Sequence, residues 1–264
     1  SYTAKVFVFD RQTKKLAQVY GKPIQNPVLS PDGTQLAFVF ERNIYVQNLA
    51  TAAVKQVTTD GEDNAILNGA PDWVYEEEFG FHVALAWSPD SKSLAYLRFD
   101  ERAVPTFSMD MYGSDTYPKP YVFKYPKAGD VNSVVSLHVW NGSATVTASE
   151  GLKYEYIPRM AWSPKGELFF ATLNRHQDSM QVMTYTTGKA PRRFLLETDA
   201  AYVESEREFS FLADGRLVWA SERSGFTHYY LYSADGSKST PITSGTYDIT
   251  TFYGVDEARG EVYY

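Results

Sequence analysis

The sequence contains no cysteine among its 264 residues. This absence excludes disulfide bonds, thiolate metal ligands and a thiol nucleophile in this chain. Histidine is also scarce, and the four histidines stand at no spacing that is typical of metal ligands. They are His82, His138, His176 and His228. We interpret them as ordinary strand or loop residues and expect no metal ion or other cofactor.

Positive charge and long apolar runs are lacking as well. The chain has 25 Lys and Arg against 32 Asp and Glu, a net charge of -7, and its basic residues are not clustered. A nucleic acid is therefore not expected as a partner, because phosphate binding needs a concentrated positive surface. No run approaches the roughly 18 uncharged apolar residues of a membrane-spanning helix. Residues 1–9 alternate like a strand instead of forming a secretory signal, so we expect the chain to begin within a fold.

Aromatic residues, by contrast, are abundant. They make up 16% of the chain, with 20 Tyr, 16 Phe and 5 Trp. Such side chains favour a pleated, half-buried surface, so the composition indicates β structure. The 17 Gly and 13 Pro indicate that many turns separate the strands.

A short phrase recurs along the chain. In each copy a strand ends on Leu or an aromatic residue, a turn of the type Ser-Pro-Asp-Gly follows, and a second apolar strand returns. The copies occupy residues 29–33, 87–90, 162–166 and, in a weaker form, 211–215. A third apolar strand and a more polar fourth strand follow each hairpin, which is the pattern of propeller blades.

The sequence therefore predicts an all-β fold, a β-propeller fragment with about four whole blades and two half blades. The half blades are expected at residues 5–20 and 249–264. A β-sandwich with coincidental turns is the alternative. Two stretches interrupt the blades: residues 64–81, between the first and second whole blades, and residues 100–135, inside the second. Insertions of this length are usually functional.

Catalytic motifs are missing from the chain. It has no G-x-S-x-G nucleophile elbow, H-E-x-x-H motif, P-loop or G-x-G-x-x-G motif, so no catalytic residue is expected here. The unusual polar feature is the run Glu76, Glu77 and Glu78, which aromatic residues flank. Pro71 with Asp72 can begin a short helical turn there and Gly80 can end it.

Carboxylates at a helix C-terminus oppose the helix dipole, so local stability does not explain this run. Long Glu side chains on one helical turn can converge on a single cation. Composition and spacing leave two interpretations open for these glutamates, a site for a cation or an ammonium group and a solvated face.

Three motifs together resemble a known family. Residues 72–78 read Asp-Trp-Val-Tyr-Glu-Glu-Glu, residues 117–119 read Tyr-Pro-Lys, and residues 125–132 read Tyr-Pro-Lys-Ala-Gly-Asp-Val-Asn. In this order the chain resembles the N-terminal propeller of the dipeptidyl peptidase IV family over residues 1–264. These are serine exopeptidases of the prolyl oligopeptidase clan, which release dipeptides that carry Pro or Ala in second position. In the family an eight-bladed propeller caps an α/β-hydrolase domain, and this chain resembles only a central part of that propeller.

The resemblance implies roles for particular residues. By position in the motif, Glu77 and Glu78 bind the free amino terminus of the substrate. The substrate-holding Arg of the family falls upstream of this chain, and the family's Phe-Arg pair falls at residues 202–206, where the chain is shortened and no role carries over. Phe81 stands where some relatives have Ser.

The resemblance also implies partners and a location. The partners are peptide substrates with a free N-terminus, a C-terminal α/β-hydrolase domain of the same protein, and a second copy that pairs through residues 100–135. We expect an exported protein, periplasmic or on the cell surface.

Two other functions compete with a peptidase propeller. One is a non-enzymatic propeller that binds a protein or peptide, which a hydrolase domain after residue 264 would exclude. The other is a glycosidase propeller, which needs two separated acids that face one pocket, and an adjacent Glu pair suits that chemistry poorly.

Overall fold

The computed structural model describes residues 2–205 and 207–264, and nearly all of the regular secondary structure in them is β-strand. The elements in chain order are β1 (Phe7–Phe9), β2 (Leu16–Gln18), β3 (Gln25–Leu29), β4 (Gln35–Phe40), β5 (Asn43–Asn48), β6 (Val54–Gln56), β7 (Ile66–Asn68), α1 (Trp73–Glu77), β8 (Leu85–Trp87), β9 (Leu94–Asp100), β10 (Thr106–Met111), β11 (Lys119–Lys124), β12 (Val134–Trp140), β13 (Thr145–Thr147), β14 (Tyr156–Trp162), β15 (Leu168–Leu173), β16 (Ser179–Tyr185), β17 (Arg192–Thr198), β18 (Ser210–Phe211), β19 (Leu217–Ser221), β20 (His228–Tyr232), β21 (Ser239–Pro241), β22 (Gly254–Asp256) and β23 (Glu261–Tyr263).

The strands form antiparallel sheets in chain order. Strands β3 to β6, β14 to β17 and β18 to β21 each make a four-stranded sheet, and β7, β8, β9, β12 and β13 make a fourth sheet of five strands. Strands β1 and β2 form a two-stranded sheet, and so do β22 and β23. The predicted β-propeller blades, four whole and two half, are confirmed.

The repeated phrase forms the turn between the first two strands of a blade. The amide of Gly33 donates to the carbonyl of Ser30 at 2.8 Å, and Gly166 and Gly215 repeat this bond in the third and fourth copies. All three glycines have positive φ, between 71° and 94°, where a glycine is favoured. In the second copy Ser91 holds that position with φ 61°. The recurrence in the sequence therefore reflects one turn geometry used in each blade.

The first strand of the second blade is split in two, which corrects one expectation. Residues 64–81 were expected to lie between the first and second blades, but β7 belongs to the second blade. Both β7 and β8 pair with β9, with Asn68 opposite Arg98 and Leu85 opposite Tyr96. The remainder of the stretch is thus a loop inserted into one strand of a blade. A strand of three residues gives too short a pattern for the sequence to show its partner.

The insertion within the second blade contains a hairpin of its own. Strands β10 and β11 pair antiparallel from Thr106 opposite Lys124 to Met111 opposite Lys119. This two-stranded ribbon leaves the blade after β9 and returns before β12. Strands β9 and β12 pair with each other along their full length. The predicted position of the insertion inside the second blade is confirmed.

The chain divides into two compact units. The first spans the chain up to residue 147 apart from residues 88–90, and the second spans residues 148–264 together with 88–90. A buried cluster in the first unit joins the first and second whole blades, with Ile44 and Val46 packed among Leu85, Trp87 and Tyr96. Among the described residues, no helix is long and apolar enough to cross a membrane.

Candidate functional site

The loop of residues 69–84 leaves and re-enters the second blade at one point. Gly69 donates its amide to the Leu97 carbonyl at 2.9 Å, and the Leu97 amide donates to the Ala84 carbonyl at 3.1 Å. Both ends of the loop are therefore hydrogen-bonded to the same residue of β9, and the pairing with β9 continues from β7 to β8. Gly69 has φ 72°, and a Cβ there would lie 2.8 Å from Leu85 Cδ2. Only glycine fits this exit without displacing the core.

The helix α1 within this loop has a defined beginning and end. Asp72 is its N-cap, with Oδ1 accepting a hydrogen bond from the Tyr75 amide at 3.0 Å. At the other end Gly80 has φ 57°, and the Phe81 amide donates to the Tyr75 carbonyl at 3.0 Å. Gly80 thus turns the chain in the left-handed conformation shortly after the helix, and the bond from Phe81 to Tyr75 closes that turn. The predicted beginning at Asp72 is confirmed, whereas the helix already ends at Glu77, and Gly80 forms the left-handed turn that follows the C-cap residue Glu78.

Two aromatic side chains fix the underside of the loop in the blade. Tyr75 is 2% exposed and Phe79 is 1% exposed. The Tyr75 ring lies 5.1 Å from the Phe79 ring and 4.8 Å from the Phe99 ring of β9, with edge-to-face geometry in both pairs. Such pairs contribute about 0.5–1.5 kcal/mol beyond the burial of their area. The loop is thus held by its own apolar side chains.

The three glutamates of the run have different surroundings. Glu76 is partly buried, and its Oε1 lies 3.9 Å from Nδ1 of His82. Glu77 ends α1 and Glu78 is the C-cap residue, and both are exposed. Neither of these two carboxylates has an ion-pair partner or a side-chain hydrogen bond to any other described residue. The last turn also holds no basic residue, so the negative end of the helix dipole is uncompensated.

The N-cap carboxyl group of α1 is one of two buried carboxyl groups that the sequence did not identify as a pair. Asp72 and Glu101 are 7% and 6% exposed. Burial, together with the negative charge of Asp72, raises the pKa of Glu101 to about 7. Burial also raises the pKa of Asp72, while hydrogen bonds from Ser133 and from the Tyr75 amide oppose that rise. The N-cap position was a usable signal for Asp72, but nothing in the local pattern marks Glu101.

Residues from the insertion contact α1 at its N-terminal end. Ser133 Oγ donates a short hydrogen bond to Asp72 Oδ2. The Trp73 and Tyr125 rings lie 4.2 Å apart, tilted by 55°. Both contacts join residues far apart in the sequence, and for this reason no local motif indicates them.

The shortened segment at residues 202–206 lies in the second unit, and Glu206 is outside the described residues. Tyr202 is 47% exposed, while Val203 is buried and donates its amide to the Gln177 carbonyl at 2.8 Å. Charged side chains beside this segment are paired with one another, Arg207 with Glu222 at 2.8 Å and Arg223 with Glu197. The pairs neutralise these charges locally.

His138 on β12 is half-buried and His228 on β20 is buried, and both contact neighbouring side chains. Burial lowers the pKa of His138 to about 4, and its ring is stacked 5.2 Å from the ring of Tyr96. His228 contacts the Thr243 hydroxyl and the Gly245 carbonyl through its two ring nitrogens. Within residues 2–205 and 207–264, no group of three or more His, Asp or Glu side chains could hold a metal ion.

Known proteins that are similar in sequence to this chain carry the name dipeptidyl peptidase 4. The dipeptidyl peptidase 4 of Trichophyton tonsurans is 30% identical over 286 residues, which cover 100% of this chain and 36% of that protein. A probable dipeptidyl peptidase 4 of Aspergillus clavatus is 30% identical over 288 residues, covering 100% of this chain and 37% of that protein. The chain therefore spans little more than a third of the length of these relatives.

Solved structures agree with this relationship. The crystal structure of Porphyromonas gingivalis dipeptidyl peptidase 4 matches with a TM-score of 0.94 and 40% identity, over 99% of this chain and 38% of that chain. A putative dipeptidyl aminopeptidase IV from Bacteroides ovatus matches with a TM-score of 0.79 over 98% of this chain and 40% of that chain, and at 22% identity it supports the fold alone. The family model described as the dipeptidyl peptidase IV (DPP IV) N-terminal region matches residues 1–264, and this chain accordingly belongs to that family.

Proposed function

We propose that the protein containing this chain is a serine-type dipeptidyl peptidase, and that this chain is its substrate-recognition propeller. Its substrates are peptides with a free N-terminus and Pro or Ala in second position. The Ser, Asp and His of the catalytic triad belong to a C-terminal α/β-hydrolase domain, because the chain has no nucleophile elbow. Membership of the family and the names of the relatives support this proposal.

The proposal assigns Glu77 and Glu78 to the α-amino group of the substrate. The observation that carries it is the placement of two adjacent, exposed carboxylates on a helical turn whose underside is buried. A protonated α-amino group offers three donors and one positive charge. It satisfies both carboxylates, relieves their mutual repulsion and compensates the helix C-terminus, so each group gains from the contact.

This assignment also accounts for cleavage after the second residue. If the amino terminus is fixed at Glu77 and Glu78, the extended length of two residues determines which carbonyl reaches the nucleophile. A peptide that lacks the charged amino group loses this anchor. Selection of an N-terminal dipeptide thus follows from a fixed distance between a binding site in the propeller and a nucleophile in the other domain.

The test replaces each glutamate in the full-length protein. We expect Glu77→Ala and Glu78→Ala each to lower kcat/KM for an Ala-Pro reporter at least about 100-fold, which corresponds to roughly 2.7 kcal/mol of transition-state binding. Folding should be nearly unchanged because both side chains are exposed. Glu76→Ala is the matched control, since Glu76 points towards His82 and lies outside the assigned pair. It should keep kcat/KM within about 3-fold of the wild type.

N-acetylation of the reporter gives a second measurement on the same site. The acetyl group removes the positive charge, so the wild-type protein should not cleave this substrate. Near-normal activity of either Ala variant, or equal cleavage of the acetylated and free peptides, would show that the pair is wrongly assigned. A full-length protein that binds such peptides without hydrolysing them would instead indicate a non-enzymatic propeller.

A further inference from the structure

The position of α1 depends on its tertiary contacts. A helix of five residues forms about one and a half turns and is unstable alone, because nucleation is costly and few hydrogen bonds follow it. Tyr75 and Phe79 hold the inner face of the loop in the blade. The cap residue Asp72 and its neighbour Trp73 lie at the N-terminal end of the helix and make contacts of their own.

The insertion supplies the contacts at that end. Ser133 stands directly before β12, and its hydroxyl donates to Asp72 Oδ2 while Oδ1 accepts from the Tyr75 amide. Tyr125 stands directly after β11, and its ring packs on the ring of Trp73. The base of the ribbon is closed as well, because the Tyr125 amide donates to the Pro105 carbonyl at 3.0 Å.

We propose that Ser133 and Tyr125 are positioning residues for the amino-terminus site, anchoring α1 to the insertion so that Glu77 and Glu78 meet the substrate amino group at a fixed place. The inference rests on the function proposed above. It extends the site beyond the glutamates to residues that do not touch the substrate. Ser133 and Asp72 are both buried, so their bond is protected from competition by water.

The physical reason is the double role of the Asp72 carboxylate. One oxygen caps α1 and the other accepts from the insertion, so the helix and the insertion share a single rigid group. Without the Ser133 hydroxyl, the buried Oδ2 loses its hydrogen-bond donor, and the carboxylate must rotate to reach a different donor. Such a turn tilts the helix and moves Glu77 and Glu78 from the place where they hold the substrate amino group, so the scissile carbonyl is presented less accurately to the nucleophile.

The experiment uses the full-length protein and two substrates, an Ala-Pro reporter and its des-amino analogue, in which hydrogen replaces the α-amino group. Ser133→Ala and Tyr125→Leu should each lower kcat/KM for the free-amino reporter about 10-fold, while kcat/KM for the des-amino analogue stays unchanged. Ser133→Thr, which keeps the hydroxyl, should restore activity on the free-amino reporter. The matched controls are Ser136→Ala on β12, whose hydroxyl contacts His138, and Tyr253→Leu, which replaces an exposed tyrosine of the second unit.

A double variant tests whether Ser133 acts through the glutamates. Adding Ser133→Ala to Glu78→Gln should cause little further loss, because the anchored group is already gone. An equal loss of kcat/KM on both substrates, or a full additional 10-fold loss of kcat/KM in the double variant, would overturn the positioning role of Ser133. The assignment of Glu77 and Glu78 would be unaffected by either result.

Two further results keep the test decisive. A wild-type protein that cleaves the des-amino analogue as well as the free reporter would overturn the assignment of the glutamates first, and the positioning role with it. If Ser133→Ala does not fold, Tyr125→Leu with the same two substrates decides the question.

Discussion

Glu101 is a buried carboxyl group with an unfavourable charge environment. Burial raises its pKa most, and the charges of Asp72 and Asp63 raise it as well. The charges of Arg42 and Lys124 lower the pKa by less, so that it is about 7. Arg42 is also occupied by an ion pair with Asp63 at 2.5 Å. The carboxyl group therefore remains protonated in the folded protein well above the pH at which it ionises in an unfolded chain.

This shift predicts that the protein loses stability as the pH rises. Between the unfolded pKa of 4.5 and the folded value of about 7, the folded state binds more protons at Glu101 than the unfolded state. The free energy of unfolding thus falls across that window, and the contribution of the protonated group is lost above it. Glu101→Gln keeps a neutral side chain of similar shape at every pH. We expect its melting temperature in the full-length protein to match the wild type near pH 4.5 and to exceed it at pH 8 by about 2 °C or more.

Thermal unfolding followed by circular dichroism at both pH values checks this expectation. Glu62→Gln is the matched control, because Glu62 is exposed in the same part of the chain. This control variant should show the same change in melting temperature between pH 4.5 and pH 8 as the wild type. A Glu101→Gln variant that is no more stable than the wild type at pH 8 would contradict the role given to this group.

At the scale of elements, the sequence predicted what local chemistry determines. The beginning of α1 at Asp72 and the left-handed turn at Gly80 shortly after the helix follow from capping and turn preferences that act within a few residues. The turn at Gly33 and its repeats at Gly166 and Gly215 could be predicted from the sequence for the same reason. The split strand was not predicted, because the pairing of Asn68 with Arg98 joins residues 30 positions apart and leaves no local pattern. The contact of Asp72 with Ser133 spans 61 positions and was equally hidden.

The ribbon of β10 and β11 presents an apolar face that the described chain leaves uncovered. Phe107 pairs with Phe123 and Met109 with Tyr121, so these side chains lie on one face, and Met109 and Tyr121 are 44% and 56% exposed. A ribbon of two strands also has unpaired backbone groups on both edges. These features support the proposed pairing of two copies through residues 100–135.

A single charge on that face should therefore weaken self-association. We expect Met109→Lys to shift the full-length protein from dimer to monomer, because the charge would be buried in the apolar contact without a partner. Ser108→Lys is the matched control, since Ser108 is exposed on the opposite face of the same strand. Light scattering over a range of concentrations gives the mass directly. A wild-type protein that is monomeric throughout, or a Met109→Lys variant that remains dimeric, would exclude this surface.

At the scale of the whole molecule, the proposed activity divides between recognition and chemistry. The sequence predicted the blades because each one repeats the same turn, and repetition is a global property that survives even where single strands are short. The first unit contains α1, its cap and the insertion, which are the elements of the proposed amino-terminus site. The chain contains no G-x-S-x-G motif, so we expect the nucleophile of the proposed activity in another domain.

This division predicts that the isolated chain has no peptidase activity. Anchoring an amino terminus lowers the cost of positioning a substrate, but without a nucleophile and its base there is no acyl transfer to accelerate. The purified chain should release no chromophore from Gly-Pro or Ala-Pro reporters under conditions where the full-length protein turns them over. The full-length activity should disappear on treatment with a serine-directed inhibitor. Turnover by the isolated chain that the same inhibitor abolishes would place a serine nucleophile among these 264 residues and overturn the division.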